Sequence, residues 1–311
     1  MFDSLPNTLA AAGINTDRLP YPLSVGKFYR LPAVGKSAAD KSCYVKLLAT
    51  GVAVFGNWST GVAVFGNWST GDKGEWFADK PTDKAELARW TKEAKAAQAK
   101  AYREQVKVWD EAAIRARRCW FDLCIAADNY HPYLQKKRLK PYGLRQYQNS
   151  LVVPVYSITD NKTQSLQFIE ANSNKRFLMG GKMQGGYFAA RQYKTGEQIV
   201  IAEGWATSQS LAQHWHIDGW HVCAFNAGNL ITVAKAMRKR HQFAQIIIAA
   251  DNDASGAGQV AAAQAAKAIG AIVTMPEFTA EERAKFGKVS DWQDRWAIDQ
   301  RNIKEVARYA D

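Results

Sequence analysis

Only four cysteines occur in 311 residues, Cys43, Cys119, Cys124 and Cys223, and no two stand in the C-x-x-C spacing of a zinc site. That scarcity excludes a disulfide scaffold, leaves no expectation of zinc, and predicts a reduced, cytoplasmic protein. Nowhere do eighteen apolar residues run together, so no membrane span is expected. The opening MFDSLPNTLAAAG lacks the basic and apolar parts of a secretion signal. The five histidines form no base or nucleophile constellation, and no Gly-x-Ser-x-Gly or Cys-His pairing stands out. Gly35-Lys36-Ser37 looks like the end of a phosphate loop, but the glycine needed five residues before Gly35 is Arg30. With no other Gly-x-x-x-x-Gly-Lys present, a helicase or other P-loop motor is excluded, and any unwinding falls to another protein.

Positive charge is plentiful and uneven. The chain carries +12 overall, and residues 81–150 hold fifteen basic groups against eight acidic, or +7 of that total. A basic stretch of this kind is the electrostatic footprint of a polyanion, nucleic acid first among them, although a solvated basic helix carries the same charge without a partner.

Residues 1–80 alternate short apolar runs with Gly, Asn and Ser, the pattern of a small β-rich unit. GVAVFGNWST at 51–60 recurs unchanged at 61–70. Each copy reads as a strand from Val52 to Phe55 with a Gly56-Asn57 turn, so that two copies could pair. Two identical decamers point to a recent duplication tolerated as an insertion. From Asp83 to about Ala127 the chain lacks Gly and Pro and is rich in Ala, Lys, Glu and Arg, which predicts one long or broken helix, with Asp83 and Glu86 as its capping start. Its basic residues, among them Arg115, Arg117 and Arg118, read as a solvated face. A second strand-rich, basic stretch covers 128–196, where Lys136, Lys137, Arg138, Lys140 and Arg145 are interleaved with Tyr130, Tyr133, Tyr142 and Tyr147. Cations that track phosphates beside rings that stack on bases suit a single strand, and a turn of exposed Lys and packed Tyr is the alternative.

From residue 197 the rhythm becomes strand, helix, strand, helix: QIVIAEG, WATSQSLAQHW, WHVCAFNAGN, LITVAKAMRKRH, QIIIAADND, GQVAAAQAAKAIG, AIVTM. Short wholly apolar strands between amphipathic helices predict a parallel sheet covered on both faces, whose ligands gather at the strands' carboxyl ends. Three loops deliver acids there: Glu203-Gly204, Asp251-Asn252-Asp253, and KVSDWQD with Asp291 and Asp294. Asp251 and Asp253 alone would be read as caps of the helix starting near Ser255. With Glu203 at the end of another strand, the better reading is a site for Mg²⁺ or Mn²⁺, two ions in all, of the kind that activates a hydroxyl and stabilises a pyrophosphate leaving group. Gly204 and Gly256 are expected to turn the backbone sharply there. Asn226, Gly228 and Asn229 fall at the same predicted rim.

A Glu-Gly strand end followed by D-x-D-x-x-G (Asp251, Asp253, Gly256) resembles the Toprim domain of DnaG-like primases, topoisomerases and some nucleases. HPYLQKKRLKPYGLR, LVVPVYS, SLQFIEANSNKRFLMGGKMQGGYF, VIAEGWATSQSL, AFNAGNL and DWQD, in that order over residues 120–300, resemble more narrowly the Toprim primases of phages and plasmids, without their cellular relatives' zinc ribbon. The resemblance implies an α/β fold, α+β overall: a Toprim parallel sheet with flanking helices (197–311), preceded by a mixed basic subdomain (128–196), a helical connector (81–127) and a small β-rich unit (1–80). It implies a nucleotidyltransferase that makes RNA primers on single-stranded DNA from ribonucleoside triphosphates, beside a separate helicase. Glu203, Asp251 and Asp253, with Asp291, would bind the metal ions. Lys175, Arg176 and Lys182 match the basic motif that faces them, joining Lys136, Lys137, Arg138, Arg145 and Asn226 as template or nucleotide contacts. Relatives carry D-F-N-D where this chain has Asp291-Trp292-Gln293-Asp294, so a ligand role falls to Asp291 ahead of Asp294. A metal-dependent Toprim nuclease and a non-catalytic single-strand-binding protein remain alternatives.

Overall fold

The computed structural model describes residues 5–11, 13–20, 23–24, 27–49, 52–57, 75–77, 84–253 and 256–308. The second decamer (61–70), the Asp83 capping start and Ser255 lie outside them. The chain divides into two compact units, Met1–Val106 and Lys107–Asp311.

In the first unit, α1 (Leu5–Ala11) precedes an antiparallel sheet of β1 (Phe28–Leu31), β2 (Cys43–Ala49), β3 (Val52–Asn57) and β4 (Glu75–Phe77), paired in that order. Leu5, Leu9, Ile14, Leu31, Val45 and Phe55 form its core. Gly56 and Asn57 are not a turn: they pair with Tyr44 and Cys43, because the strand runs on past Phe55. Along Val52–Val54 the edges of β3 are taken by β2 and β4, and the pairing expected with the second decamer falls on residues outside those described.

A long helix, α2 (Lys84–Arg118), crosses the division between the units and ends sooner than its composition suggests. A π-turn at Cys119–Leu123 follows, closed by the Cys124 N–H on the Cys119 carbonyl at 2.9 Å. The widened turn lets Trp120 and Cys124 join Ala116 against Val152, Leu166 and Phe168. Beyond it Ile125–Ala126 is already strand. Arg115 and Arg117, expected on a solvated face, donate to the carbonyls of Met179 and Thr163.

The second unit holds two sheets. The antiparallel one runs β5 (Ile125–Ala126), β6 (Arg145–Tyr147), β7 (Ser150–Ser157), β8 (Thr163–Glu170), β9 (Lys175–Phe177), with β10 (Gly186–Tyr187) beside β7 and α3 (Pro132–Lys137) between β5 and β6. Its Val152, Leu166 and Phe168 face α2, while Leu151, Val153, Val155 and Ile169 face Tyr133, Leu134, Trp205 and Phe225. Tyr133, 1% exposed, is therefore core and cannot stack on a base, whereas Tyr130 and Tyr142 are exposed.

The other sheet is parallel, in the order β12 (Trp220–Cys223), β11 (Ile199–Ala202), β13 (Ile246–Ala249), β14 (Ile272–Thr274). Every residue of β11 is buried, as expected of a central parallel strand, and each Val or Ile so buried contributes about 1.5–3 kcal/mol. On one face Ile199 and Ile201 meet α5 (Ala227–Arg240) and α6 (Ala257–Ile269) through Leu230, Val233, Met237, Ala262 and Ala265. On the other, Val200 and Ala202 meet Leu211 of α4 (Trp205–Gln213) and Trp292 of α8 (Trp292–Arg308), with α7 (Ala280–Phe286) lying between β14 and α8 in sequence. The helix after β11 thus covers the face opposite to those after β12 and β13. That reversal opens a crevice at the carboxyl end of β11, where Glu203 lies.

Candidate active site

Register brings the acids together. Ala202 is level with Ala249 across the β11–β13 pair, so Glu203 and Asp251, one and two residues further on, leave the sheet at the same edge. Burial first, then the Asp291 and Glu203 charges, push the Asp251 carboxyl up to about 7. Burial and the Asp253 charge also raise Glu203, against the opposing pull of the Ala227 N–H and Lys175. Thr207, one helical turn beyond Glu203, donates to Asp251 at 3.4 Å. The sequence reading missed this hydroxyl, and its signal was the i,i+4 spacing from Glu203.

Asp253 is engaged locally, its Oδ1 accepting the Gly256 N–H at 2.9 Å. Gly256 has a φ of 70°, the left-handed region expected of it. Gly204 does not: its φ is −105°, and a Cβ there would meet only Thr207 Oγ1, at 3.8 Å. The Glu203 turn therefore needs no glycine. Asn252 is a tie between loops, donating to the Ser290 and Pro276 carbonyls and accepting from Gln259.

Asp291 and Asp294 bind each other's backbone. The Asp294 N–H donates to Asp291 Oδ1 at 2.8 Å, and Asp294 Oδ2 accepts from the N–H groups of Asp291 and Ser290. This reciprocal cap starts α8. Asp291 keeps its second oxygen for Lys137, 3.6 Å away. Among the described residues no three His, Cys, Asp or Glu side chains stand close enough to cage an ion. The set still fits a hard divalent cation, because the crowding that lifts Glu203 and Asp251 is what such an ion relieves. Such ions can keep several waters and take one or two carboxylates, so a ready cage is not required.

The basic residues separate into two groups. Lys175 acts on Glu203 and Asp251 together, and Phe177, two residues along the same strand, packs edge-on against Phe225 at the end of β12 at 6.0 Å. β9 thus turns Lys175 toward the rim and Arg176 away from it. Arg176 lies over Phe168 at 4.4 Å and pairs with Glu170 at 3.6 Å. Arg145 donates to the Trp120 carbonyl at 2.6 Å and lies over its ring, and Lys182 lies over Trp109. Lys136 and Arg138 face α8 across a small cavity. Asn226 caps α5 by accepting the Asn229 N–H at 2.9 Å. Asn229 itself is buried and fully used, accepting from Gly185 and donating to the carbonyls of Gly186 and Ala224. It fastens the glycine-rich turn after β9 to the rim.

Residues 198–298 match the family model Toprim_3, described as a Toprim domain. Two Escherichia coli proteins named DNA primase TraC are similar to this chain. One is 28% identical over 289 residues, covering 85% of this chain and 25% of the relative; the other is 29% identical over 226 residues, covering 68% and 15%. The chain thus spans at most a quarter of the length of these curated relatives. Among solved structures, the primase fragment of the bacteriophage T7 primase-helicase protein overlaps with 19% identity and a TM-score of 0.36, covering 56% of this chain and 72% of that one. A chain from the T7 lagging-strand DNA polymerase structure with primase domains gives 19% and 0.36, covering 57% and 90%. At that score the overlap determines neither fold nor activity.

Proposed function

We propose, from the premise that residues 198–298 form a Toprim domain, that this chain is a DNA-directed RNA primase that joins ribonucleotides on a single-stranded DNA template. The observation that carries this reading is the pair Glu203 and Asp251 at the crevice of a parallel sheet, each lifted by burial and by neighbouring carboxylates (Asp253 for Glu203, Asp291 and Glu203 for Asp251), and both faced by Lys175. In this reading Glu203, Asp251 and Asp253, with Asp291, hold Mg²⁺ or Mn²⁺, two ions at full occupancy. Bound there, the ions activate the attacking hydroxyl and neutralise the triphosphate. Thr207 fixes the Asp251 carboxylate, and Asp294 fixes Asp291 by capping α8. Lys175 draws in nucleotide or template phosphates, and Lys136, Lys137 and Arg138 hold the strand, with exposed Tyr130 and Tyr142 as stacking rings. Asn226 orients phosphates at the rim with the amide nitrogen that its cap leaves over. Lys137, Arg145, Arg176 and Lys182 must leave Asp291, Trp120, Glu170 and Trp109 before they can reach a strand. The division of labour follows 1–80, 81–127, 128–196 and 197–311, with synthesis in the last, template holding in the third, and strand separation left to a separate helicase.

The test is ribonucleotide incorporation on single-stranded DNA by the wild type and by Asp251→Ala. Loss of incorporation by a folded variant is expected, and unchanged incorporation overturns the mechanism. Cleavage of labelled strands with Mg²⁺ and no nucleotides, without synthesis when nucleotides are added, would instead make the same acids those of a nuclease.

A further inference from the structure

On α8, away from the acids, a cavity of about 150 Å³ opens between α3 and the helix, lined by Lys136, Arg138, Gln293, Trp296, Gln300 and Arg301. Three of these are cations, no acid is among the lining residues, and none of the three cations forms an ion pair with a described residue. Like charges do not converge without cost, so the arrangement asks for an anion. Gln293 is 4% exposed, and its Oε1 makes no hydrogen bond of normal length, although the side chain acts on the neighbouring His214 ring. A buried amide in that condition is short of a ligand or a water, and rotating it presents its NH₂ group to an anion. The Trp296 ring is not waiting for a base: His214 stacks on it at 3.8 Å and 9°, and the Arg138 guanidinium lies 5.8 Å from its centre. The ring thus orients Arg138, while Arg301 lies over the Phe286 ring at 5.3 Å; a guanidinium fork matches the oxygens of a phosphate.

The cavity also has a defined place relative to the rim. Asp291 caps α8, and at 1.5 Å per residue Trp296 and Arg301 are about 7 and 15 Å along the axis from it. A stacked strand places a phosphate roughly every 3.4 Å. We propose that this cavity is a phosphate site that grips the backbone of the single-stranded DNA about two to four nucleotides from the acidic rim. The rim as reacting centre, single-stranded DNA as the template, and Lys136 and Arg138 as strand contacts rest on the function proposed above; the α8 wall and the phosphate site are added here. Lys136 and Arg138 form one wall of the site, and Gln293, Gln300 and Arg301 of α8 form the other.

The experiment is binding of a labelled oligothymidylate over a salt series, with chelator and without nucleotides, to the wild type, R301A, R301K and K239A. K239A removes the same charge from the last turn of α5 and serves as the control. For R301A the affinity should fall roughly five- to tenfold, and the slope of log affinity against log salt should flatten by about 0.7, one phosphate's worth. R301K should keep the slope, and K239A should resemble the wild type. Inorganic pyrophosphate is titrated in parallel. If R301A weakens pyrophosphate binding alone, the phosphate comes from free nucleotide and the backbone assignment is overturned. If neither ligand is weakened, or K239A matches R301A, there is no phosphate site here. With no metal or nucleotide present, a negative result leaves synthesis by the acids standing, and an inactive Asp251→Ala that keeps the full salt slope leaves the cavity standing.

Discussion

Two pairs of aspartates lie at the same end of the parallel sheet, and they meet opposite fates. Asp291 and Asp294 stand three apart across a helix start, where each can accept the other's backbone N–H, and Asp294 spends one oxygen on two donors. Asp251 and Asp253 stand two apart past a strand end, where no such reciprocity exists. Asp253 accepts a turn N–H from Gly256, and Asp251 is left with one long bond from Thr207 and the repulsion of Asp291 and Glu203. Acids of one type, separated by one residue more or less, become a cap in one place and an unrelieved charge in the other. Unrelieved charge is what a metal-dependent site requires, so the difference in spacing is also a difference in function.

The widest break between the pairs should be in activity. Asp251→Asn should reduce ribonucleotide incorporation by about 10²–10³-fold, and Asp294→Asn should cost far less, in a steady-state priming assay. Equal losses would show that the cap and the charge cannot be told apart by function. Stability should move the other way. The folded-state pKa of Asp251 is about 7 against an ordinary 3.8. Between those values the folded chain holds a proton that the unfolded chain has released, so stability falls as pH rises through that window, and the full penalty is present above it. Without divalent ions, Asp251→Asn should therefore be more stable than the wild type at about pH 8, by about 4 kcal/mol, and little different near pH 4. Thermal melts at both pH values read this directly, and added Mg²⁺ should narrow the gap by stabilising the wild type.

For Asp294→Ala the expected loss is about 1 kcal/mol at neutral pH, that of a helix cap. The glycines of the two acid loops extend the comparison to its smallest effects. Gly256→Ala should cost about 1 kcal/mol, because its φ is +70°. Gly204→Ala should stay within about 0.5 kcal/mol, since its φ is ordinary and the space is open. Denaturant midpoints of the two variants, compared side by side, would expose an error in either backbone assignment.

Where the chain alternates four-residue apolar strands with helices, its architecture was legible, because a buried parallel strand needs apolar residues on both faces and little else satisfies that pattern. The positions of Glu203 and Asp251 were legible for a related reason: strand ends are predictable, and acids at strand ends are few, whereas Asp291 stands at the start of α8, beyond α7. The end of α2 was not, since the π-turn at Cys119–Leu123 answers to the packing of Trp120 against β7 and β8, which no local propensity reports. The tyrosines divided in the same way. Tyr133 reads like Tyr130 and Tyr142 along the chain, but only the fold decides that it lies under Trp205. Arg145 and Arg176 read as strand-binding cations, and their partners Trp120, Phe168 and Glu170 lie 25, 8 and 6 residues away, across strands whose pairing had to be known first.

The sequence by itself determined the rhythm of the parallel sheet, the rim at which its acids emerge, and the excess of positive charge beside it, because these depend on residue type and short-range spacing. Only the tertiary structure decided which of those charges remain unspent. Register brought Glu203 and Asp251 to one edge of the sheet, the start of α8 consumed Asp294, β9 turned Lys175 toward the acids and Arg176 away, and α8 completed a basic cavity with residues distant from α3 in sequence. Whether a polar group is available depends on every partner within about 3 Å of it, and most of those partners come from elsewhere in the chain.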